Sequence, residues 1–396
     1  MKWLHFALQN IWHNRRRSIS SAWIIAVGTG AILLGGGFML ATYDALTEMA
    51  IRAEGHVRVA PLRADGALLL DRDRALSLRN TLLNDPRVKR VLPRLHFEGL
   101  VINGNHARAF LGTGVDAAEE FKVHGPFLEI LSGDVLDIPM LNTDLPEVLL
   151  GDRLAQTLQA TLGTRLALVS VNSSGESTRQ QVQVVGTYRT GNPEIDLRTL
   201  MVSLDTAQQI LKTDHVSTLS IYLHADHDSA AIKRSLDIDM EVSTWKERAV
   251  LYHDVRALYD RIFGAMGLII LVVVFLSIFN TAAMAVMERL AEIGTMAALG
   301  TGRGRILTNF VMEAILIAAA GIALGMVIAG TVAALIDAIG VMMPPPPGRS
   351  VGYPLYVYAS PTLYVLSGTL IVVVATASAC VATFRVTRIR IVDALR

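Results

Sequence analysis

Apolar residues gather in four blocks along the chain. Ser18 to Tyr43 carries no charge and is densest from Ala22 to Leu40. Ile262 to Met287 is also uncharged, and Ile306 to Ile336 contains one acid, Glu313. The fourth block is uncharged up to Phe384 and apolar from Leu363 onward. Each exceeds the roughly 20 residues that cross a hydrocarbon core of about 30 Å. Each therefore predicts a transmembrane helix, since a lone strand leaves its backbone unsatisfied in lipid. The first block is too long for the apolar part of a signal peptide and lacks a small-x-small cleavage site, so it reads as a retained helix.

Between the first and second blocks, Asp44 to Arg261 changes character. Short runs rich in Val and Leu, bounded by Gly, Asn, Asp or Pro, predict strands at His56–Ala60, Gly99–Ile102, Ala107–Leu111, Arg165–Val171, Gln181–Thr187, Leu200–Val202 and Thr218–Leu223. Arg74–Leu83, Asp152–Thr161, Asp205–Leu211 and Ser229–Leu236 predict helices, with Asp152 and Asp205 as N-caps. Strands interleaved with helices give an α+β domain, expected in two subdomains. The fold class is an α-helical membrane protein with four spans, one plus three, and a large α+β domain inserted between the first and second.

The expected divisions are 1–17, an amphipathic N-terminal helix; 18–43, the first span; and 44–261, the outer domain. Then come 262–287, the second span; 288–305, a connecting helix; 306–336, the third span; 337–360, a loop; 361–384, the fourth span; and 385–396, a tail. In the N-terminal segment Trp3, Leu4, Ala7, Leu8, Ile11 and Trp12 share one face, which suits a helix lying in the membrane interface. Tyr252, Val255, Tyr259, Ile262 and Met266, and opposite them Tyr43, Leu46, Ala50 and Ala53, alternate at three and four residues. That spacing fits either a short coiled-coil stalk or ordinary helix ends packed on the outer domain. Pro344–Pro347 reads as a rigid stop after the third span. Gly35–Gly37 and Gly321-x-x-x-Gly325 permit close helix contact, within one subunit or at a dimer seam.

Charge sets the orientation. Lys2 and Arg15–Arg17 precede the first span, Arg289, Arg303 and Arg305 separate the second and third, and Arg385, Arg388, Arg390 and Arg396 follow the fourth. The loop between the third and fourth has only Arg349. By the positive-inside rule both termini and the middle loop are cytoplasmic and the large domain lies outside. Composition agrees with a membrane protein: 52% hydrophobic, 18% charged and a mean hydropathy of +0.43. Thirty-six basic against 35 acidic residues leave no basic excess for nucleic acid. One cysteine, Cys380, excludes a disulfide framework and reads as a small buried thiol.

Signatures of catalysis are sparse. No His-Glu-x-x-His, Gly-x-Ser-x-Gly or phosphate-loop motif occurs. Gly300–Gly304 is glycine-rich but lacks the Lys and the Ser/Thr of a phosphate loop. His224, Asp226, His227 and Asp228 have ligand chemistry, but solvated residues at a strand end are the commoner explanation. No acid or base occupies mid-bilayer in the first, second or fourth span, which argues against ion-coupled transport. Energy for movement should then come from a partner.

The middle loop, Met287 to Glu313, reads MERLAEIGTMAALGTGRGRILTNFVME. Glu288, Arg289 and Glu292 lie on a predicted short helix ended by Gly300, a form suited to docking in a groove of a soluble partner. The run Glu288-Arg289-x-x-Glu292-Ile293-Gly294, with Ala297, Gly300 and Glu313, resembles the signature of FtsX/MacB-type permeases. Asn10-Ile11 with Arg15–Arg17, and the terminal Asp393-Ala394-Leu395-Arg396, fit the same pattern. Gly55-His56-Val57, Gly112-x-Gly114-Val115-Asp116 and Val148-Leu149-Leu150-Gly151-x-x-Leu154-Ala155 are similar to the LolC/LolE lipoprotein-releasing branch.

This resemblance spans the whole chain and implies a MacB-like ABC permease fold with a periplasmic domain in a bacterial inner membrane. It implies a dimer with a second permease copy or homologue, and two copies of a separate ABC ATPase subunit, because MacB itself carries its ATPase fused at the N-terminus whereas this chain starts with the membrane part. ATP and Mg²⁺ would sit on that partner, with no cofactor or metal in this chain and no enzymatic activity of its own. Glu288, Arg289, Glu292, Ile293, Gly294, Ala297 and Gly300 would engage the ATPase, with Arg385–Arg396 assisting. The cargo implied is a lipoprotein or other amphipathic molecule, passed to a periplasmic chaperone or adaptor. Phe38, Met39, Tyr43, Tyr259, Phe263 and Met266, at the outer ends of the first two spans and in contact with membrane lipid, are the candidate acyl site on position and apolarity. The alternatives within the family are MacB-like efflux of peptide, drug or toxin through an adaptor and duct, and an FtsX-like transducer that activates a periplasmic enzyme.

Overall fold

The computed structural model describes residues 15–62, 69–124, 128–136, 145–236, 240–289, 295, 302–343 and 352–386. In chain order it has α1 (Arg15–Glu54), β1 (Val57–Pro61), α2 (Arg72–Leu83), β2 (Val88–Asn103), β3 (His106–Val115), α3 (Ala117–His124), β4 (Glu129–Gly133) and β5 (Glu147–Gly151). There follow α4 (Asp152–Leu158), β6 (Arg165–Val171), β7 (Ser177–Arg189), α5 (Pro193–Asp196), β8 (Thr199–Ser203), α6 (Leu204–Leu211), β9 (Thr218–Leu223) and α7 (Ser229–Ser235). The chain continues through β10 (Met240–Thr244), α8 (Trp245–Arg248), α9 (Val250–Glu288), α10 (Arg303–Ile339) and α11 (Pro361–Val386). It divides into a helical unit, Met1–Asp44 with Asp254–Met342 and Pro354–Arg396, and a second unit, Ala45–His253 with Met343–Tyr353.

Among the described residues, four helices are long and apolar enough to cross a membrane: Arg15–Glu54, Tyr252–Glu288, Leu307–Ile339 and Pro361–Phe384. In the helical unit their shared core is Ile25, Val274, Ile278, Ile317, Ile322 and Ile371, closed by Ala314, Ala318, Ala375 and Ala379. Small residues let the backbones approach. A Cβ on Gly325 would lie 2.6 Å from the Ala26 carbonyl oxygen and from Thr29 Cβ, and one on Gly321 would lie 2.7 Å from the Ala22 carbonyl. The Gly-x-x-x-Gly of α10 is therefore filled by α1 of the same chain, the packing that such motifs serve in lipid. Ser378 Oγ donates to the Phe275 carbonyl at 2.7 Å and adds a polar tie between α11 and α9.

The second unit is built on one ten-stranded sheet in the order β10-β1-β9-β2-β3-β8-β5-β7-β4, with β6 joining β2 to β7. Six of these strands close on themselves: β2 pairs β3, β3 pairs β8, β8 pairs β5, β5 pairs β7, β7 pairs β6, and β6 returns to β2. Closure removes the exposed edges that an open sheet would leave there. The ring is filled by Leu95, Phe97, Val101, Phe110, Val148, Leu150, Leu168, Val182, Val184 and Val202, sealed by Leu154 and Leu158 of α4 and Ile210 of α6. A second core lies under β1 and β9, where Val57, Val59, Leu219 and Ile221 meet Ala75 and Leu82 of α2 and Ile232 of α7.

The α+β reading holds: the unit has two main cores, one in the ring and one under the β10-β1-β9 arm, and β2 is shared between them. Strands at Arg165–Val171 and Thr218–Leu223 lie at their expected bounds. The expectation omitted β4, β5, β10, α3 and the one-turn helices α5 and α8. Its caps also shift by one or two residues. Gly151 precedes α4 without a side-chain cap, and Ser203, not Asp205, caps α6 by accepting from the Thr206 amide. Asp152 and Asp205 instead occupy the first turns, where an acid complements the helix dipole. The N-terminal amphipathic helix, Pro344–Pro347 and most of the tail lie outside the described residues.

Candidate functional site

The last turn of α9 carries Glu288, and Arg289 follows it. Glu288 Oε2 is 3.2 Å from Arg17 Nη1 on α1. Arg289 Nη1 is 3.8 Å from Glu313 Oε2 on α10. Two adjacent residues of opposite charge thus reach two different helices. The first pair is open, with the Glu288 side chain 56% exposed, and such pairs contribute only about 0–1 kcal/mol. The second is mostly buried, at 15% and 12% side-chain exposure, so losing one partner would strand a charge.

Deeper along the same helices, Ser21 and Thr281 share a hydroxyl hydrogen bond of 2.6 Å. Below Glu313 a cavity of about 20 Å³, lined by Thr281, Ala285, Phe310 and Ile317, has space for roughly one water. The start of the middle loop is therefore joined to α1 and α10 by ion pairs over an apolar floor of Ala285, Val286 and Phe310. Glu292, Ile293, Gly294, Ala297 and Gly300 lie outside the described residues.

The candidate acyl residues fall on α1 and α9. Phe38 meets Tyr259 at a ring separation of 6.4 Å and Phe263 at 6.1 Å, and Tyr259 meets Phe263 edge-on at 5.9 Å. Met266 lies beside them, its Cε 3.2 Å from where a Cβ on Gly35 would stand. Tyr43 is placed by polar contacts: its hydroxyl donates to Asp260 Oδ1 at 2.7 Å, and the Arg256 guanidinium sits 5.3 Å from its ring centre. Met39 is half-buried but is offset about 100° from Phe38 around the helix, off the shared face. The structure thus brings Phe38, Tyr259, Phe263 and Met266 into one apolar cluster, puts Tyr43 at its polar border and leaves Met39 apart. Of the proposed seam, Ile262 is 51% exposed, so the heptad spacing does not form a continuous buried stripe.

Residues 18–237 match the MacB-like periplasmic core domain family and residues 264–391 match the FtsX-like permease C-terminal family. The chain belongs to the FtsX/MacB permease family. Among its relatives, the lipoprotein-releasing system transmembrane protein LolC of Xylella fastidiosa is 26% identical over 328 residues, 78% of this chain and 75% of the relative. The corresponding LolE of Haemophilus influenzae is 25% identical over 338 residues, 80% of this chain and 78% of its own. The crystal structure of the periplasmic region of MacB from Actinobacillus actinomycetemcomitans aligns with 50% of this chain and 92% of its own, at 16% identity and a TM-score of 0.38. This FtsX/MacB permease is a membrane subunit of a LolCDE/MacB-type ABC transporter, a class that works with an ATPase partner.

Two residues of the Glu288 cluster had another reading in the sequence. Arg17 counted toward topology and, with Arg15 and Arg16, toward the family pattern, and Glu313 stood as an isolated acid of the signature. The signal was present, since one acid in an otherwise uncharged span needs a cation nearby. The His224–Asp228 run goes to structural contacts: Asp226 accepts from the Trp245 indole and pairs with Lys246 Nζ at 3.2 Å.

Proposed function

We propose that this permease conveys ATPase motion from its middle loop to its outer domain in order to extract or move a lipoprotein or another amphipathic cargo. The observation that carries the reading is the pair of ion pairs at Glu288 and Arg289. A partner that displaces the loop pulls on α1 through Arg17 and on α10 through Glu313, so three helices respond together. In this reading Glu288 and Arg289 form the root of the docking segment, and Glu292, Ile293, Gly294, Ala297 and Gly300 make the contact with the ATPase.

The ATPase is a separate subunit in two copies, holding the ATP and Mg²⁺, and this chain performs no chemistry. The protein sits in the inner membrane with both termini in the cytoplasm. Ile262, Leu268, Ile269, Val272, Val273 and Leu276 leave α9 with a broad exposed apolar face, which suits lipid and a second permease copy or homologue.

The acyl chains of the cargo would displace the tilted contacts of Phe38 with Tyr259 and Phe263 and the edge-on contact between Tyr259 and Phe263. The names of the LolC and LolE relatives support a lipoprotein over other cargo, and a periplasmic chaperone or adaptor would then receive it. The test is Phe263→Ser with Met266→Ser in the assembled transporter. Basal ATP hydrolysis should stay within about twofold of wild type while acylated cargo no longer co-purifies; loss of two apolar side chains that an acyl chain would bury, each about 1.5–3 kcal/mol, is enough for that. Unchanged retention of acylated protein would overturn the acyl site. Recovery of an adaptor and duct without acylated cargo would favour efflux.

A further inference from the structure

A helix leaves its last four carbonyls without intrahelical partners. At the end of α1 the surrounding unit supplies three of them, and the chain's own next residue closes the fourth. Ile51 O accepts the Gly55 amide at 2.7 Å, and Arg52 O accepts the Tyr222 hydroxyl at 3.0 Å. Ala53 O accepts Arg94 Nη1 at 2.6 Å, and Glu54 O accepts Arg248 Nη2 at 3.4 Å. The same Arg248 nitrogen donates to Gly55 O at 3.0 Å. The donors come from β9, β2 and α8, three elements far apart in sequence.

Arg94, like Tyr222, is buried, at 5% exposed. Its Nη2 lies 2.6 Å from Glu120 Oε1 on α3 and donates to the Tyr222 hydroxyl at 2.8 Å. Burial pushes the Tyr222 phenol up to about 12, so it keeps the proton that it gives to Arg52 O. No linker follows the helix. Gly55, at φ +83°, turns the chain where a Cβ would lie 2.9 Å from the Ile221 carbonyl. His56 already donates to Ile221 O at 2.9 Å, and β1 starts at Val57. An exposed helix end would be satisfied by water, so a buried charge pair placed here serves to fix direction.

We propose that Arg94, held by Glu120 and Tyr222, is the positioning residue that locks the end of α1 to β2 and β9, so that movement of α1 turns the sheet as one body. This rests on the coupling reading above and names the joint through which that motion enters the outer domain.

The test uses the full transporter purified with its ATPase, comparing amide hydrogen exchange with and without ATP plus vanadate. In wild type, ATP should change exchange by about threefold or more both near Thr281–Glu288 and in Val88–Leu95 with Thr218–Leu223. The double variant Arg94→Met, Glu120→Met removes both buried charges while keeping apolar volume. It should retain the first response and lose most of the second, with exchange in β6 and β7 as in wild type, which reports a folded ring. Arg94→Lys, which can still donate to Ala53 O, should recover at least about half of the second response. A double variant that transmits the full response, or an Arg94→Lys variant with no recovery, would overturn the joint. Absence of any ATP response near Thr281–Glu288 in wild type would instead overturn the coupling reading on which it stands.

Discussion

His56 accepts the Leu223 amide at Nδ1, 3.1 Å away, and so needs that nitrogen free of a proton. Burial holds its pKa below the ordinary 6.5, with Asp226 opposing the shift and Lys89 adding to it. The sign follows directly. Its folded pKa lies below the unfolded one, so the stability it contributes is full above about pH 6.5 and is lost as pH falls through the folded value. The outer domain should melt at a lower temperature at pH 5.5 than at pH 7.5, and His56→Asn, which keeps an acceptor without a titrating group, should flatten that dependence. A variant as pH-sensitive as wild type by differential scanning fluorimetry would assign the effect to other groups. Arg94 shows what the sequence could not display at this scale. In the sequence it stands in a charged stretch with Lys89 and Arg90, as a solvated residue would. Its partners come from positions 53, 120 and 222, and only the folded chain brings them together.

At the scale of elements, legibility followed the local pattern. Strands β6 and β9 end in turn residues and were readable to the residue, whereas β2 was visible only at Gly99–Ile102. Its first half carries the charges that face α1 and α3, so alternation there does not look like a strand. Strand β5 is short and buried at every position after Glu147, parallel to β7, and a run of Val-Leu-Leu has no period to read. The spanning helices were legible because lipid demands length and apolarity, and their packing is open to test. Gly325→Ala would push a methyl against Ala26 and Thr29 and should cost about 1–3 kcal/mol of stability in detergent, seen as earlier thermal aggregation. Gly264→Ala, with nothing within 4 Å of its Cβ, should be neutral or better. Equal losses at both positions would contradict close contact of α1 and α10.

The ion pairs belong to the same scale. Glu288→Lys sets two cations side by side at the ends of α1 and α9. The fold should survive, because an exposed pair contributes only about 0–1 kcal/mol, but ATP-driven release of cargo should fall severalfold. Arg17→Glu added to it re-forms the pair with reversed sign and should recover most of the loss. A double variant no better than the single one would remove Arg17 from the pathway.

For the molecule as a whole, the order of one span, a large domain and three further spans was legible from hydropathy alone, and the middle loop supplied the family. The closed ring of six strands was not, because β2–β6 and β3–β8 are pairings between segments far apart in the chain that no local pattern encodes. In the proposed function this permease works as the membrane part of an ATP-driven machine for acylated cargo. Gentle purification of the tagged protein from its native membrane, with mass spectrometry of everything retained, tests that most directly. An ABC ATPase at one copy per permease should be retained together with a diacylated or triacylated protein. A well-folded permease that retains neither would contradict it.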